Sequence, residues 1–395
     1  MKYITRTIWI LSLVSLFTDM ASEMLYPIMP IYLKSIGFSI VLIGVLEGLV
    51  EAFAGISKGY FGKISDRTGK RVPFVQLGYG LSALSKPLLA AFIFPVWIFF
   101  VRTIDRLGKG IRTGARDALL SDESTPETKG RVFGFHRSMD TMGAVLGPAI
   151  ALIYLYFYPG QYRMMFLLAV IPGVLALLIA FLLKDKKVTT PSTKKKTPFF
   201  SFLGYWKDSP TRYRKVVIGL LLFALFNSSD VFLLLKVKQA GFSDSLVIIV
   251  YIFYNLVYAL SSFPAGHLAD KLGMKKTFIT GLILFALVYA GMSLQWDHYV
   301  YFILFAVYGI YAACTEGVAK AWLTNISSRE DAATSIGFYT GFQSICALGA
   351  SSMAGLIWYE FSAQATFIIT AIVTGLVIIY FLVVNTKSDA AGHIV

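Results

Sequence analysis

Cysteine and histidine are almost missing from this 395-residue chain, which has two of the first and four of the second. Cys314 and Cys346 lie inside apolar runs, and of the scattered histidines only His136 does. Neither a disulfide framework nor a thiolate or imidazole metal centre is therefore expected. Asp19, Met20, Glu23 and Met24 group oxygen and thioether donors that would suit a divalent cation. No histidine or cysteine joins them, and the expected metal count is none. Charge is scarce too, at 15% of residues, against roughly a quarter in soluble domains. Acidic residues are the scarcer sign, 22 against 36 Lys and Arg, for a net +14. The basic excess sits in a few connectors, with no basic face interleaved with aromatics, which argues against nucleic acid. A Gly-Lys-Ser phosphate loop, a Cys-His pair and zinc-ligand spacing are all absent, so neither enzymatic activity nor a cofactor is expected.

What fills the chain is apolar, 56% of its residues. About 20 apolar residues cross a ~30 Å hydrocarbon core at ~1.5 Å per residue, and such runs recur with no soluble-type stretch between them. Turn and charge punctuation sets spans near 7–33, 40–62, 73–93, 96–115, 132–157 and 164–183, then 216–236, 246–266, 277–294, 299–322, 334–357 and 365–384. The pattern predicts an all-α membrane protein of twelve transmembrane helices. The opening "MKYITRTIWILSLVSLFTDMASEM" runs through acidic residues into more membrane sequence, so it reads as a retained first helix and not a signal peptide. With both termini on one side, the connectors 63–72, 116–131, 184–215, 267–276 and 323–333 share that side and hold most of the Lys and Arg. The opposite connectors have little beyond Lys34, Arg163 and Lys238. The positive-inside rule then makes both termini cytoplasmic, in the plasma (cell inner) membrane. Residues 184–215 read as a basic cytoplasmic linker between bundles at 1–183 and 216–395, with 197–206 an interfacial helix on membrane lipid.

The two parts are related at an offset of 204 in two stretches and 203 in a third. Gly62, Asp66 and Gly69 in "GKISDRTGKR" recur as Gly266, Asp270 and Gly273 in "GHLADKLGMKK", and "GFS" at Gly37 recurs at Gly241. "GRVFGFHRSMD" from Gly130 is similar to "AATSIGFYTGFQ" ending at Gln343, with Gly134 opposite Gly337 and Asp140 opposite Gln343. Repeats of six spans belong to secondary transporters, which hold substrate near the midplane at the repeat interface.

Gly62–Arg71 resembles the loop 2–3 signature of the major facilitator superfamily, G-x-x-x-D-R-x-G-[RK]-[RK], at every defining position, through Gly62, Asp66, Arg67, Gly69, Lys70 and Arg71. The second copy is weaker, with Lys271 in place of Arg. The resemblance implies the major facilitator fold, two pseudo-symmetric six-helix bundles. It also implies a conformational latch, in which Asp66 clamps the cytoplasmic ends of helices 2 and 11 in the outward-facing state, opposite Ala333–Gly337. Asp270 is its counterpart. In the fifth span, Gly134, Gly143, Gly147 and Pro148 resemble the family's antiporter motif, with Ala151 and Leu152 standing where it has two further glycines. That likeness implies the drug/proton-antiporter, or efflux, type. An ordinary small-residue packing face reads the same way. In the fourth span Arg102, Gly108 and Gly110 resemble the family's R-x-x-x-G-x-G with the spacing stretched by two. Asp105, Arg106, Lys109, Arg112 and Arg116 go beyond it. Those after Gly108 are expected to be solvated at the cytoplasmic end by snorkelling.

Ionisable groups inside a bilayer each cost ~2.5–3.5 kcal/mol, so each needs a partner, a cavity or a task. Asp19 and Glu23 lie four apart on one face of the first span, as do Glu47 and Glu51 on the second. Lys86 interrupts the third span, Arg137 and Asp140 the fifth, Asp230 the seventh, and Glu316 with Lys320 the tenth. By the resemblance spans 1, 4, 7 and 10 line the central cavity, which collects Asp19, Glu23, Arg102, Asp230, Glu316 and Lys320; Glu51 and Asp140 are further candidates. Two carboxylates close together in low dielectric cannot both ionise cheaply, so Asp19 and Glu23 are the leading proton-coupling pair, with structural hydrogen bonding the alternative. Glu316 and Lys320 read equally as an intrahelical ion pair. Tyr251, Tyr254 and Tyr258 with Asn255 either line the cavity or pack against neighbours. The expected function is alternating-access transport by a monomer: export of a small organic or drug-like solute in exchange for protons, or, as the alternative, symport or uniport for uptake of a metabolite or ion.

Overall fold

Hydroxyls and prolines start the helices. Thr5 caps α1 (Arg6–Glu23) by accepting from Ile8 N, 3.4 Å. α2 spans Ile40–Thr68, and prolines sit in the first turns of α3 (Val72–Ala91) and α4 (Pro95–Asp122), where the missing N–H is no loss. α5 is Lys129–Phe157; α6 (Tyr162–Leu168) and α7 (Val170–Ala180) follow one another across Ala169. After a 3-10 turn, Phe199–Gly204, come α8 (Tyr205–Asp208), α9 (Thr211–Ala224) and α10 (Val231–Gln239). Ser243 caps α11 (Asp244–Leu272), α12 is Met274–Met292 and α13 is His298–Ile326. α14 is Ala332–Glu360, and Ser362 caps α15 (Ala363–Val383). This computed structural model describes residues 3–26, 29, 33, 37, 40–92, 94–185 and 198–384, and the side chains of 40–49, 52, 95 and 244 are outside the description. Glu47, Lys34, Phe38 and Ser39 of the first "GFS", and most of the basic linker, fall outside it.

Among the described residues six helices are long and apolar enough to cross a membrane: Lys129–Phe157, Tyr162–Ala180, Ser245–Leu272, Met274–Met292, His298–Ile326 and Ala363–Val383. α4 carries too much charge to join them. The seventh expected span is broken: α9 ends at Ala224 and α10 begins at Val231, with Asn227, Ser228 and Asp230 between. These polar side chains compete for the backbone and favour a turn over continued helix. The fourth expected span is longer at its far end, since α4 continues to Asp122. Phe202 of the expected interfacial helix is buried and would strike any Cβ at Gly59, while Trp206 stacks on Phe338. The 3-10 turn therefore packs on α2 and α8 on α14, while Phe199, Phe200 and Leu203 stay exposed.

α5 sits between α1 and α11. A Cβ on Gly143 would lie 2.7 Å from Met20 N, one on Gly147 2.7 Å from Met20 O, and one on Gly134 2.5 Å from Ser262 O. Each is a contact with backbone, which cannot rotate away. Overpacking of this kind costs ~1–3 kcal/mol. Gly143→Val is expected to cut transport about tenfold per unit of folded protein. Transport in proteoliposomes, normalised to the monodisperse fraction, checks this; equal losses in folded yield and activity would leave only a packing role.

Candidate functional site

α1, α2, α4 and α5 meet α11, α13 and α14 around a cavity of ≈ 310 Å³. α5 contributes Arg137 and Asp140, held to each other at 2.9 Å across three residues of one helix face. Asp140 also accepts from Ser15 Oγ on α1, 2.6 Å. Arg137 crosses to the later part of the chain, where its Nε donates to the Tyr258 hydroxyl and its Nη2 lies 3.5 Å from Glu316. Lys320 does not pair with Glu316. It reaches Asp117 at 2.9 Å, as does Arg116, so the intrahelical pair expected from their spacing is replaced by two contacts between helices. Asp117 is almost fully buried and holds a base from each side. On α2, Lys58 bonds Ser344 of α14 at 2.7 Å, and Glu51 lies 3.8 Å from both Lys58 and Arg106.

A second chamber adjoins the first, and Asp19, Glu23, Lys109 and Arg112 line both. In its wall Lys86 bonds Asp105, 3.1 Å, and Ser22, 3.3 Å; Arg102 and Arg106 also line it. Glu23 accepts from Tyr251 of α11 at 2.9 Å. Asp19 has no hydrogen bond or ion pair among the described residues. Asp230 stands apart, at the start of α10, and accepts from Tyr254, 2.5 Å, and Tyr308, 2.6 Å. Tyr251, Tyr254, Tyr258 and Asn255 all line the central cavity.

One end of the molecule is fastened by two matching contacts. Asp66, which the resemblance sets opposite Ala333–Gly337, accepts from Ala333 N, 3.2 Å, Thr334 N, 2.5 Å, and Thr334 Oγ1, 2.6 Å, at the start of α14, and from Arg71. Asp270 accepts from Gly130 N, 2.7 Å, Arg131 N, 3.0 Å, and Arg131 Nε, 2.9 Å, at the start of α5. A Cβ on Gly62 would strike Ala333 O, and one on Gly266 would strike Gly130 O. Gly69 and Gly273 turn the chain at positive φ, +64° and +98°, conformations open to glycine. Arg67 is half-buried on the last turn of α2. Lys129 adds a bond to Thr324 O, 2.7 Å, and Arg329 lies 3.1 Å from Asp122.

The basic stripe of α4 differs from its expected place. Arg112 and Arg116 are buried, and Lys109 opens onto the cavity; none is a snorkelling end group. The signal was there in the spacing of 102, 106, 109, 112 and 116, three or four apart on one helix face. Among the described residues no group of His, Cys, Asp and Glu is arranged to hold a metal.

The profile described as Major Facilitator Superfamily matches residues 11–254 and 231–393. An MFS-type transporter of Methanocaldococcus jannaschii is 33% identical over 390 residues, 96% of each chain. The quinolone resistance protein NorA of Staphylococcus aureus is 26% identical over 183 residues, 46% of each. Among solved structures, the human organic anion transporter MFSD10 superposes with a TM-score of 0.81 at 16% identity, covering 95% of this chain and 99% of that one. At that identity the likeness concerns the fold alone.

Proposed function

The chain belongs to the Major Facilitator Superfamily, a family of multi-pass membrane transporters, and from that premise we propose that it exports a small organic solute in exchange for protons. The observation that carries the alternating-access part is the pair of carboxylate clamps. Asp66 and Asp270 each close on the N-terminus of a helix from the other part of the chain, at the same end, with one charged cavity beyond them. A carboxylate at a helix N-terminus gains ~0.3–1 kcal/mol, and more where partly buried. Such a contact is strong enough to bias one end state and weak enough to release. In this reading twelve spans form bundles at 1–183 and 216–395, joined by the linker 184–215. Both termini face the cytoplasm across the plasma membrane, and the protein works as a monomer. The clamped end is the cytoplasmic one, and the captured shape is outward-facing. Asp19 and Glu23 carry protons, and Arg102, Asp140, Glu316 and Lys320 set the charge of the cavity. Asp230 orders the tyrosines of α11 and α13.

Export is supported by the likeness to a quinolone resistance protein, since resistance is what removal of a toxic solute would give, and by the tight α1–α5 packing at Gly143 and Gly147. A second reading, uptake together with a proton, is favoured by one pattern. Asp19 and Lys109 share both chambers, so a proton on Asp19 would leave Lys109 more attractive to a negative solute. Oriented proteoliposomes separate the two. An acidic interior is expected to speed solute accumulation if the chain is an exporter inserted inside-out, and to slow it if solute and proton move together. Absence of saturable counterflow for any solute that binds would end the transporter proposal.

A further inference from the structure

We propose that the basic face of α4 is an anion site, and that the solute is an organic anion whose carboxylate or phosphate is held by Lys109 and Arg112. This rests on the transport reading and deepens it by assigning the charge of the solute. Nine basic side chains line the two chambers against five acidic ones. Glu51 and Asp117 reach four of those bases from outside the lining and bring the acids to seven, which still leaves the bases in excess.

The excess is not spread evenly. Lys86 has Asp105, Arg137 has Asp140 and Glu316, and Arg116 and Lys320 share Asp117. Lys109 is exposed to the cavity, and its ammonium has no hydrogen bond or ion pair among the described residues. Arg112 is buried, 7% exposed, and its guanidinium meets neutral groups: Ser82 Oγ at 2.6 Å, Gly78 O at 3.4 Å, and the Tyr79 ring 4.5 Å from its centroid. Its Nε has no hydrogen-bond partner among the described residues. Three residues apart on α4, the two bases are neighbours on one face, and both line both chambers.

A guanidinium keeps its proton at any physiological pH, and holding it away from water without an anion is costly. Asp19 and Glu23 share the chambers, yet neither comes within 4.0 Å of Lys109 or Arg112 among the described residues. An anionic group brought by a ligand is the counter-charge that this arrangement lacks. Across the central cavity stand Tyr251, Tyr254 and Tyr258, an aromatic wall for the body of an organic molecule. The volume falls at the lower end of small-molecule pockets, ~300–1,000 Å³.

The test is calorimetric titration of the purified full chain in detergent with benzoate, phenylphosphate, inorganic phosphate, benzylammonium and benzyl alcohol. At least one aryl anion is expected to bind with a Kd of about 1 mM or tighter, and benzylammonium and benzyl alcohol at least about tenfold more weakly. Lys109→Gln should weaken the anion about tenfold and Lys109→Arg should preserve it. Arg112→Gln should act like Lys109→Gln; because Arg112 packs against Gly78 and Ser82, the cavity-exposed Lys109 pair is decisive if that variant does not fold. Whichever aryl anion binds identifies the carboxylate or the phosphate as the preferred group. Benzylammonium binding as tightly as the aryl anions, no aryl anion binding at about 10 mM, or an unchanged Lys109→Gln would overturn the site. Inorganic phosphate matching phenylphosphate would overturn the organic part. An aryl anion that binds as expected but shows no saturable counterflow in proteoliposomes would sink the transport reading and leave the anion site standing. Counterflow of benzylammonium would do the reverse.

Discussion

Asp66→Asn is expected to lower transport to less than about a tenth of the native rate while the protein stays folded and monodisperse, because charge-assisted hydrogen bonds are worth ~1.5–3 kcal/mol each. The carboxylate takes two backbone N–H groups and one hydroxyl from the start of α14, and the Arg71 guanidinium besides. An amide keeps one oxygen as acceptor and turns an NH₂ toward donors, so at least one of these bonds becomes a repulsive pairing. The N-terminus of α14 also loses its negative partner. The loss falls on the clamped state alone, and a ligand-independent bias of ~1–3 kcal/mol redistributes two states about 5- to 150-fold. Spin labels on the Asp66 ends of α2 and α14 should accordingly report longer distances in Asp66→Asn. Asp270→Asn should lengthen the distance between α5 and α11 at the same end, since Asp270 makes three equivalent bonds to Gly130 and Arg131. Native distances together with native transport in Asp66→Asn would remove the residue from the conformational cycle.

The clamp was open to sequence reading for a physical reason. A tight bend demands glycine, a close helix crossing demands another, and a helix N-terminus rewards a carboxylate. These three requirements leave a fixed spacing at Gly62, Asp66 and Gly69, and again 204 residues on. The apolar runs were legible because a bilayer demands length and hydropathy from each segment separately. The interior of the site was less so. Glu316 and Lys320, four apart, suggest each other, but Arg137 and Asp117 come from helices far away in sequence and take them instead. Arg112 and Arg116 near the end of a span suggest solvent, because nothing local records that Ser82 and Tyr79 of α3 on one side, and Ser15 of α1 on the other, enclose them. The break between α9 and α10 had a local cue in Asn227, Ser228 and Asp230, which the apolar residues on both sides outweigh in any window as long as a span.

Replacing both carboxylates of α1, as Asp19→Asn with Glu23→Gln, is expected to abolish acceleration by a proton gradient while leaving counterflow of unlabelled for labelled solute at least partly intact. Counterflow needs only the solute-loaded protein to change face, without net proton movement, so it survives loss of the coupling groups if these are not the main hold on the solute. The single variants should separate by environment. Glu23 accepts from Tyr251 of α11, a bond between the two parts of the chain. Asp19 lines both chambers with no bonded partner among the described residues. Removing the charge at Asp19 therefore breaks no hydrogen bond or ion pair among the described residues, and its effect should appear in proton movement. Glu23→Gln should also change the rate at which the Tyr251 contact opens, and so slow counterflow as well. Proton exchange with weakly buffered detergent solution on adding solute gives the direct measurement. Release marks proton and solute as competitors, as export by exchange requires. Uptake marks them as companions, as an anion drawn to Lys109 beside a protonated Asp19 requires. Either signal should disappear in the double variant. If gradient-driven transport persists there at the native rate, the proton binds elsewhere, and Asp230, with Tyr254 and Tyr308 on its two oxygens, becomes the carboxylate to neutralise next.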